Sequence, residues 1–558
     1  MSGKKARSDP RSPFGVLGMP AAARTSNRVS EHSENRYSSR RFRSHLRNPG
    51  LASDCLTKGV GQNGEGTDVT SRITAIVLIA QLFASSSFAG SRVEFSAGKA
   101  HSLFVFMEGL TGNPHRPRHL KKTFDESKFN NAESQTRIQA FRDLDSAFGR
   151  HFEFESLPRE RNNGVSVEVL VTIQSAFAKD LKDFRQRILG LMPYDKLTTL
   201  IDTLAYFEPI YDELIWQPNQ KDLNQVVAEF KTKSDKWELD DMFDRALTFY
   251  RSGWPLEQLF HVILYPIPRG ADTSNGQSFG AFESVGVIIG DKSTEREFGV
   301  VFHEICHSLY DAESAEFQQT LSNWFMNHPS PYARVAYSWL NEALATAIGN
   351  GWAYAKAKGE LNQGEWFHHE KINGFAHALY PKVAEYLNSR KPIDEDFVNF
   401  AVQAFEKTFP QAISEYETIM SNLVLLSDGS VGSSRDLKRA LQSQFQIPSI
   451  DSASPIDHAE SKNDIRNKPS ATIFLIATRN NRKQIEAIDD VLPGIEKIVK
   501  SAAKEGDHFG VFDFDSRKVM LLLVEDPATV SKVIKWMAAT VRPEKTNEFV
   551  PPEGDSIK

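Results

Sequence analysis

FGVVFHEICHSLY, residues 298–310, carries His303, Glu304 and His307 in an H-E-x-x-H spacing. Phe298, Val300, Val301, Phe302, Ile305 and Leu309 make the stretch apolar nearly all round, which reads as a buried helix. On a helix, residues four apart stand one turn above each other, so the two imidazoles can aim at one point. Zinc held there takes about 2.0–2.1 Å to each nitrogen. Glu304 is rotated by about 100° from His303, so it flanks the metal and activates a bound water rather than ligating. In so apolar a helix an unpartnered His-Glu-His cluster would be costly, and a metal or polar partners must satisfy it.

A tetrahedral catalytic site takes a third protein ligand and leaves the fourth position open. Residues 337–349 (YSWLNEALATAIG) read as a second helix with one acidic residue in an apolar run, Glu342. Glu342 is the expected third ligand. Two nearer acids, Asp311 and Glu313, stay open as alternatives.

His303, Glu304, His307, Asn341 and Glu342 together resemble the gluzincin metallopeptidases, the thermolysin-like zincins, over roughly residues 260–350. That resemblance implies a zinc centre on His303, His307 and Glu342, with Glu304 as general base. It also implies a Tyr or His opposite the base, hydrogen-bonding the tetrahedral oxyanion. His377 and Tyr380, three apart on a helix expected over 367–387, are the candidates. Such enzymes often carry an Asp four residues after the ligand Glu, bonded to a metal-bound His. Thr346 stands there in this chain, and its hydroxyl is a less basic acceptor.

Ahead of the motif, residues 259–267 (LFHVILYPI) and 283–290 (ESVGVIIG) read as strands around a Gly/Ser/Asn loop at 270–280. Thr294-x-x-Glu297 is a capping box opening the motif helix. In zincins an edge strand beside the metal binds the substrate. The candidate is 284–289, with Ser284, Val285, Gly286 and Val287 offering backbone groups to an extended peptide.

The fold class expected is α+β: a zincin-like metallopeptidase domain at 256–420, a mainly helical domain at 91–255 before it, and a small α/β domain at 421–545 after it. Leu181, Phe184, Ile188 and Leu191 exemplify the apolar stripes of the helical part. In the last part, 422–426 and 472–477 read as strands, 449–469 as a polar loop and 485–503 as one helix. No phosphate loop marks it, and the sequence assigns it no role.

The chain has 558 residues, ordinary globular composition and a net charge of −6, which gives no reason to expect nucleic acid. Its two cysteines, Cys55 and Cys306, allow no disulfide framework. Residues 1–68 read as a disordered basic tail with roughly +6 of charge, and the native start is expected near Val69. Residues 69–90 read as a signal peptide: Arg72, a short apolar core, then Ser87-Phe88-Ala89. That core is too short for a stable membrane span. The expected protein is secreted or periplasmic and hydrolyses peptide bonds of a peptide or protein substrate with Zn²⁺. The competing expectation is an inactive zincin-fold binding or structural protein that keeps its zinc.

Overall fold

Val93–Ala97 (β1), Phe260–Ile267 (β2), Asn275–Phe279 (β3) and Phe282–Ile288 (β4) form a four-stranded sheet, ordered β1-β2-β4-β3, in the computed structural model. The structure describes residues 91–113, 115–148, 151–152, 165–271, 274–291, 294–502, 504–514 and 517–550. The basic segment 1–68 and the signal-like stretch 69–90 lie outside them. β1 runs parallel to β2 and β2 parallel to β4, while β3 is antiparallel to β4. The near-continuous apolar run of β2 suits a strand buried on both faces.

The 270–280 stretch is not simply the loop its Gly/Ser/Asn content suggested. Its second half is β3, folded back on β4 across Gly280, which sits at φ +65°. A correction for the substrate strand follows. Ser284, Val285, Gly286 and Val287 lie on β4, whose backbone groups are taken by β2 on one side and β3 on the other. The edge beside the motif helix is β3.

Lys99–Leu110 (α1), Tyr194–Tyr211 (α2), Gln217–Lys236 (α3) and Leu239–Phe249 (α4) are the main helices of the preceding segment. Phe184 and Ile188 of the apolar stripe are buried. This segment and the motif region share one hydrophobic core running from Val93 to Ala412. The boundary expected at 255/256 therefore crosses a continuous core. The physical reason is β1, which is hydrogen-bonded to β2 from the far side of that boundary.

The motif helix spans Thr294–Asp311 (α5). Thr294 opens it, but its hydroxyl donates to Glu229 of α3 at 3.0 Å. Ala333–Thr346 (α6) runs on through a π-helical stretch, Ala347–Ala353, and Glu370–Asn388 (α7) packs against both.

The last segment is a six-stranded sheet of Asn422–Ser427 (β5), Ser449–Ala453 (β6), Thr472–Thr478 (β7), His508–Phe514 (β8), Arg517–Val524 (β9) and Phe549–Val550 (β10). Its order is β10-β8-β9-β7-β5-β6, parallel except at β8. Ser434–Gln442 (α8) and Thr529–Thr540 (α10) border the apolar cluster on one face; Ala459–Asn467 (α9) borders that on the other. Two sequence expectations change here. The 449–469 loop contains β6 and α9, and the helix read over 485–503 is broken at Pro493-Gly494, where Gly494 takes φ +97°. No helix among the described residues is long and apolar enough to cross a membrane. The architecture is mixed α+β.

Candidate metal centre

Helical spacing puts His303 and His307 on one face of α5, with ring centroids 4.7 Å apart and planes at 79°. Their Nε2 atoms face each other at 3.0 Å. Glu342 comes from α6 and closes the group: Oε2 lies 3.6 Å from His303 Nε2, and Oε1 lies 3.6 Å from His307 Nε2. All three ligand atoms lie within 4.8 Å of one another, so the triad can hold a metal ion. Among the described residues it is the one such His/Cys/Asp/Glu group, and neither Asp311 nor Glu313 belongs to it.

Close backbone approach makes this meeting possible. A Cβ on Gly349 would stand 2.4 Å from the His303 nitrogen and 2.6 Å from the Gly299 oxygen. Only glycine fits where the π-helical continuation of α6 crosses α5. π-Helical turns recur at functional sites for such local geometry.

The ring nitrogens decide whether the donor set suits a cation. His307 Nδ1 lies 3.0 Å from Asn341 Oδ1. An amide oxygen only accepts, so Nδ1 carries the proton and the Nε2 lone pair is left facing the triad. His303 Nδ1 is buried without a hydrogen-bond partner, and so is Thr346 Oγ1. The hydroxyl expected to support a ligand histidine does not bond to one; Asn341 does that work for His307. Its place beside Glu342 in the Asn-Glu pair was the available signal.

Glu304 is 7% exposed, and burial pushes its carboxyl up to about 7, with Glu342 adding to the shift and His307 opposing it. For Glu342 burial also acts upward, but the His307 and His303 imidazoles outweigh it and hold the carboxyl at about 2. A third carboxyl, Glu283, lies on β4 and is fully buried with no hydrogen-bond partner on either oxygen. Burial and the nearby Glu304 push it well above the usual carboxylate range. Nothing in the spacing of the sequence marked Glu283, because strand pairing is what brings it under α5.

His377 and Tyr380 lie on α7 as expected, gathered around Trp366. The His377 ring stacks on Trp366 at 3.8 Å and the Tyr380 ring meets it edge-on at 5.4 Å. Among the described residues no hydrogen bond or ring contact joins either to the triad or to Glu304. The aromatic that does reach the triad is Phe367, stacked on His303 at 6.0 Å with planes at 20°. No family model, curated protein or solved structure matches this chain.

Proposed function

We propose that this chain is a zinc metallopeptidase of the gluzincin kind, hydrolysing peptide bonds with Glu304 as general base. The observation that carries the reading is the meeting of His303, His307 and Glu342 within 4.8 Å. Zinc suits two imidazoles and one carboxylate, and when bound it supplies Lewis acidity that polarises the scissile carbonyl and acidifies water.

The protein's own groups account for the rest. An extended peptide adds to the edge of β3 and takes its backbone hydrogen bonds from that strand. Gly276 of β3 packs against Glu304, which sets the carboxylate beside the peptide. Glu304 accepts the proton of the attacking water and passes it to the leaving amine. A carboxyl pushed up to about 7 suits both halves of that transfer near neutral pH. His377 and Tyr380 remain the candidates for hydrogen-bonding the oxyanion.

The test is metal content of the purified chain beside hydrolysis of a mixed peptide library. About one zinc per chain with cleavage supports the reading. Bound zinc with no cleavage of any peptide favours the inactive binding protein, and no zinc overturns both.

A further inference from the structure

The C-terminal α/β segment supplies none of those residues, yet polar contacts tie it to the start of α7, whose N-cap residue stacks on the helix that carries Glu342. Glu417, in the short helix Tyr416–Ile419 leading to β5, accepts from three groups. These are His369 Nε2 at 3.0 Å, Lys371 Nζ at 2.8 Å and the Gln446 backbone N–H at 3.0 Å. Gln446 lies just before β6, so the α/β segment itself helps hold this carboxylate. Glu415 adds Lys371 at 2.9 Å and Arg542 at 3.5 Å. Burial would push the Glu417 carboxyl up, but His369 and Lys371 outweigh it and hold it at about 2.

His369 is the N-cap of α7, its Nδ1 accepting the Ile372 backbone N–H at 3.4 Å. Nδ1 is thus the acceptor, and Nε2 carries the proton donated to Glu417. The imidazole lies flat on Trp339, with centroids 5.1 Å apart and planes at 12°. Trp339 is fully buried in α6, three residues before Glu342 and on the same side of that helix. Glu342 is about a third exposed; it faces the two ligand imidazoles, and the His369 imidazole also acts on its charge from behind Trp339. Its position therefore depends on where α6 is held.

We propose that Glu417 and His369 are positioning residues that set the Glu342 carboxylate through the Trp339 ring, so that the C-terminal segment holds the metal centre in register. This rests on the metal reading above. Fixing the His369 ring fixes the indole beneath it, and the indole fixes the turn of α6 that presents Glu342. Freed from Glu417, the imidazole can swing off Trp339 and the third ligand loses its registration against α5.

The full-length chain, stripped of metal, is titrated with Zn²⁺ against a chromophoric chelator, and with Co²⁺ to record its visible spectrum. E417A weakens Zn²⁺ binding by about tenfold, at the low end for a residue behind a ligand, and alters the Co²⁺ spectrum. E417Q keeps an acceptor for His369 and restores both. H369F keeps an aromatic ring but loses the tie, so the ring is as free to leave Trp339 as the untied imidazole, and it reproduces the E417A loss. The H369F/E417A double variant is no worse than either single change, because both break one link. Wild-type affinity and spectrum in E417A and H369F, or losses that add in the double variant, overturn the positioning role. Should E417A fail to fold, H369F alone carries the comparison. A wild-type chain that binds neither ion overturns the metal reading and this proposal with it, an outcome distinct from normal binding in the variants.

Discussion

Gly276 on β3 lies so close to Glu304 on α5 that a Cβ added to it would stand 2.4 Å from Oε1. The carboxylate of the proposed base rests on the edge strand, in space that only a glycine leaves free. Gly276→Ala therefore displaces Glu304 while leaving the triad untouched. Peptide hydrolysis falls by about 10²-fold or more, as when a general base is misplaced, while zinc content stays at the wild-type level. Unchanged turnover in a folded variant would remove Glu304 from the chemistry.

Glu304→Gln keeps the shape and removes the proton acceptor. Hydrolysis drops by about 10²–10⁴-fold with zinc retained. The metal-free protein gives a second readout, because burial lifts this carboxyl from 4.5 to about 7. Below pH 4.5 it is protonated in folded and unfolded chains alike, and its contribution to stability is fully present. As pH rises toward 7 the unfolded chain ionises it first, and that contribution is lost, on the order of 3 kcal/mol in full. Denaturant unfolding of the metal-free proteins should thus favour the Gln variant over wild type increasingly from pH 4.5 to 7. A difference independent of pH would mean that Glu304 keeps an ordinary carboxylate affinity.

Asn341→Ala removes the oxygen that orients His307. Zinc affinity measured by chelator competition weakens by roughly 10–100-fold, the usual cost of losing a partner behind a ligand histidine. Asn341→Asp, which keeps an acceptor at the same position, retains more of the affinity. Equal affinities across wild type, Ala and Asp would sink the role of Asn341.

Glu342→Ala takes away the proposed third ligand and loses most of the zinc, whereas Glu313→Ala keeps it. The reverse result would move the third ligand to Glu313.

Gly349→Ala pushes a methyl into the backbone of His303 and Gly299. Neither backbone can yield without moving a helix, so the chain loses about 1–3 kcal/mol or more. Glu342 also retreats from the imidazoles and zinc binding weakens. Denaturant midpoints and metal content measured on the same samples check both parts.

What is local could be read from the order of residues. His303, Glu304 and His307 share a turn because an α-helix makes its hydrogen bonds within a few residues, so spacing alone set their common face. The apolar run around Glu342 marked its helix in the same way, and the long apolar run of β2 marked a strand. Which strand forms the edge is a matter of pairing between distant segments, and no run of residues carries it. β3 was hidden because its Gly/Ser/Asn composition is that of a turn, and its strand character comes from β4 lying alongside. The decision among Glu342, Asp311 and Glu313 likewise needed distances across the fold. So did the Asn341 bond to His307, the burial of Glu283 beneath α5, and the tie from Glu417 through His369 to Trp339. Those contacts join segments tens of residues apart, and only the packed core brings them together.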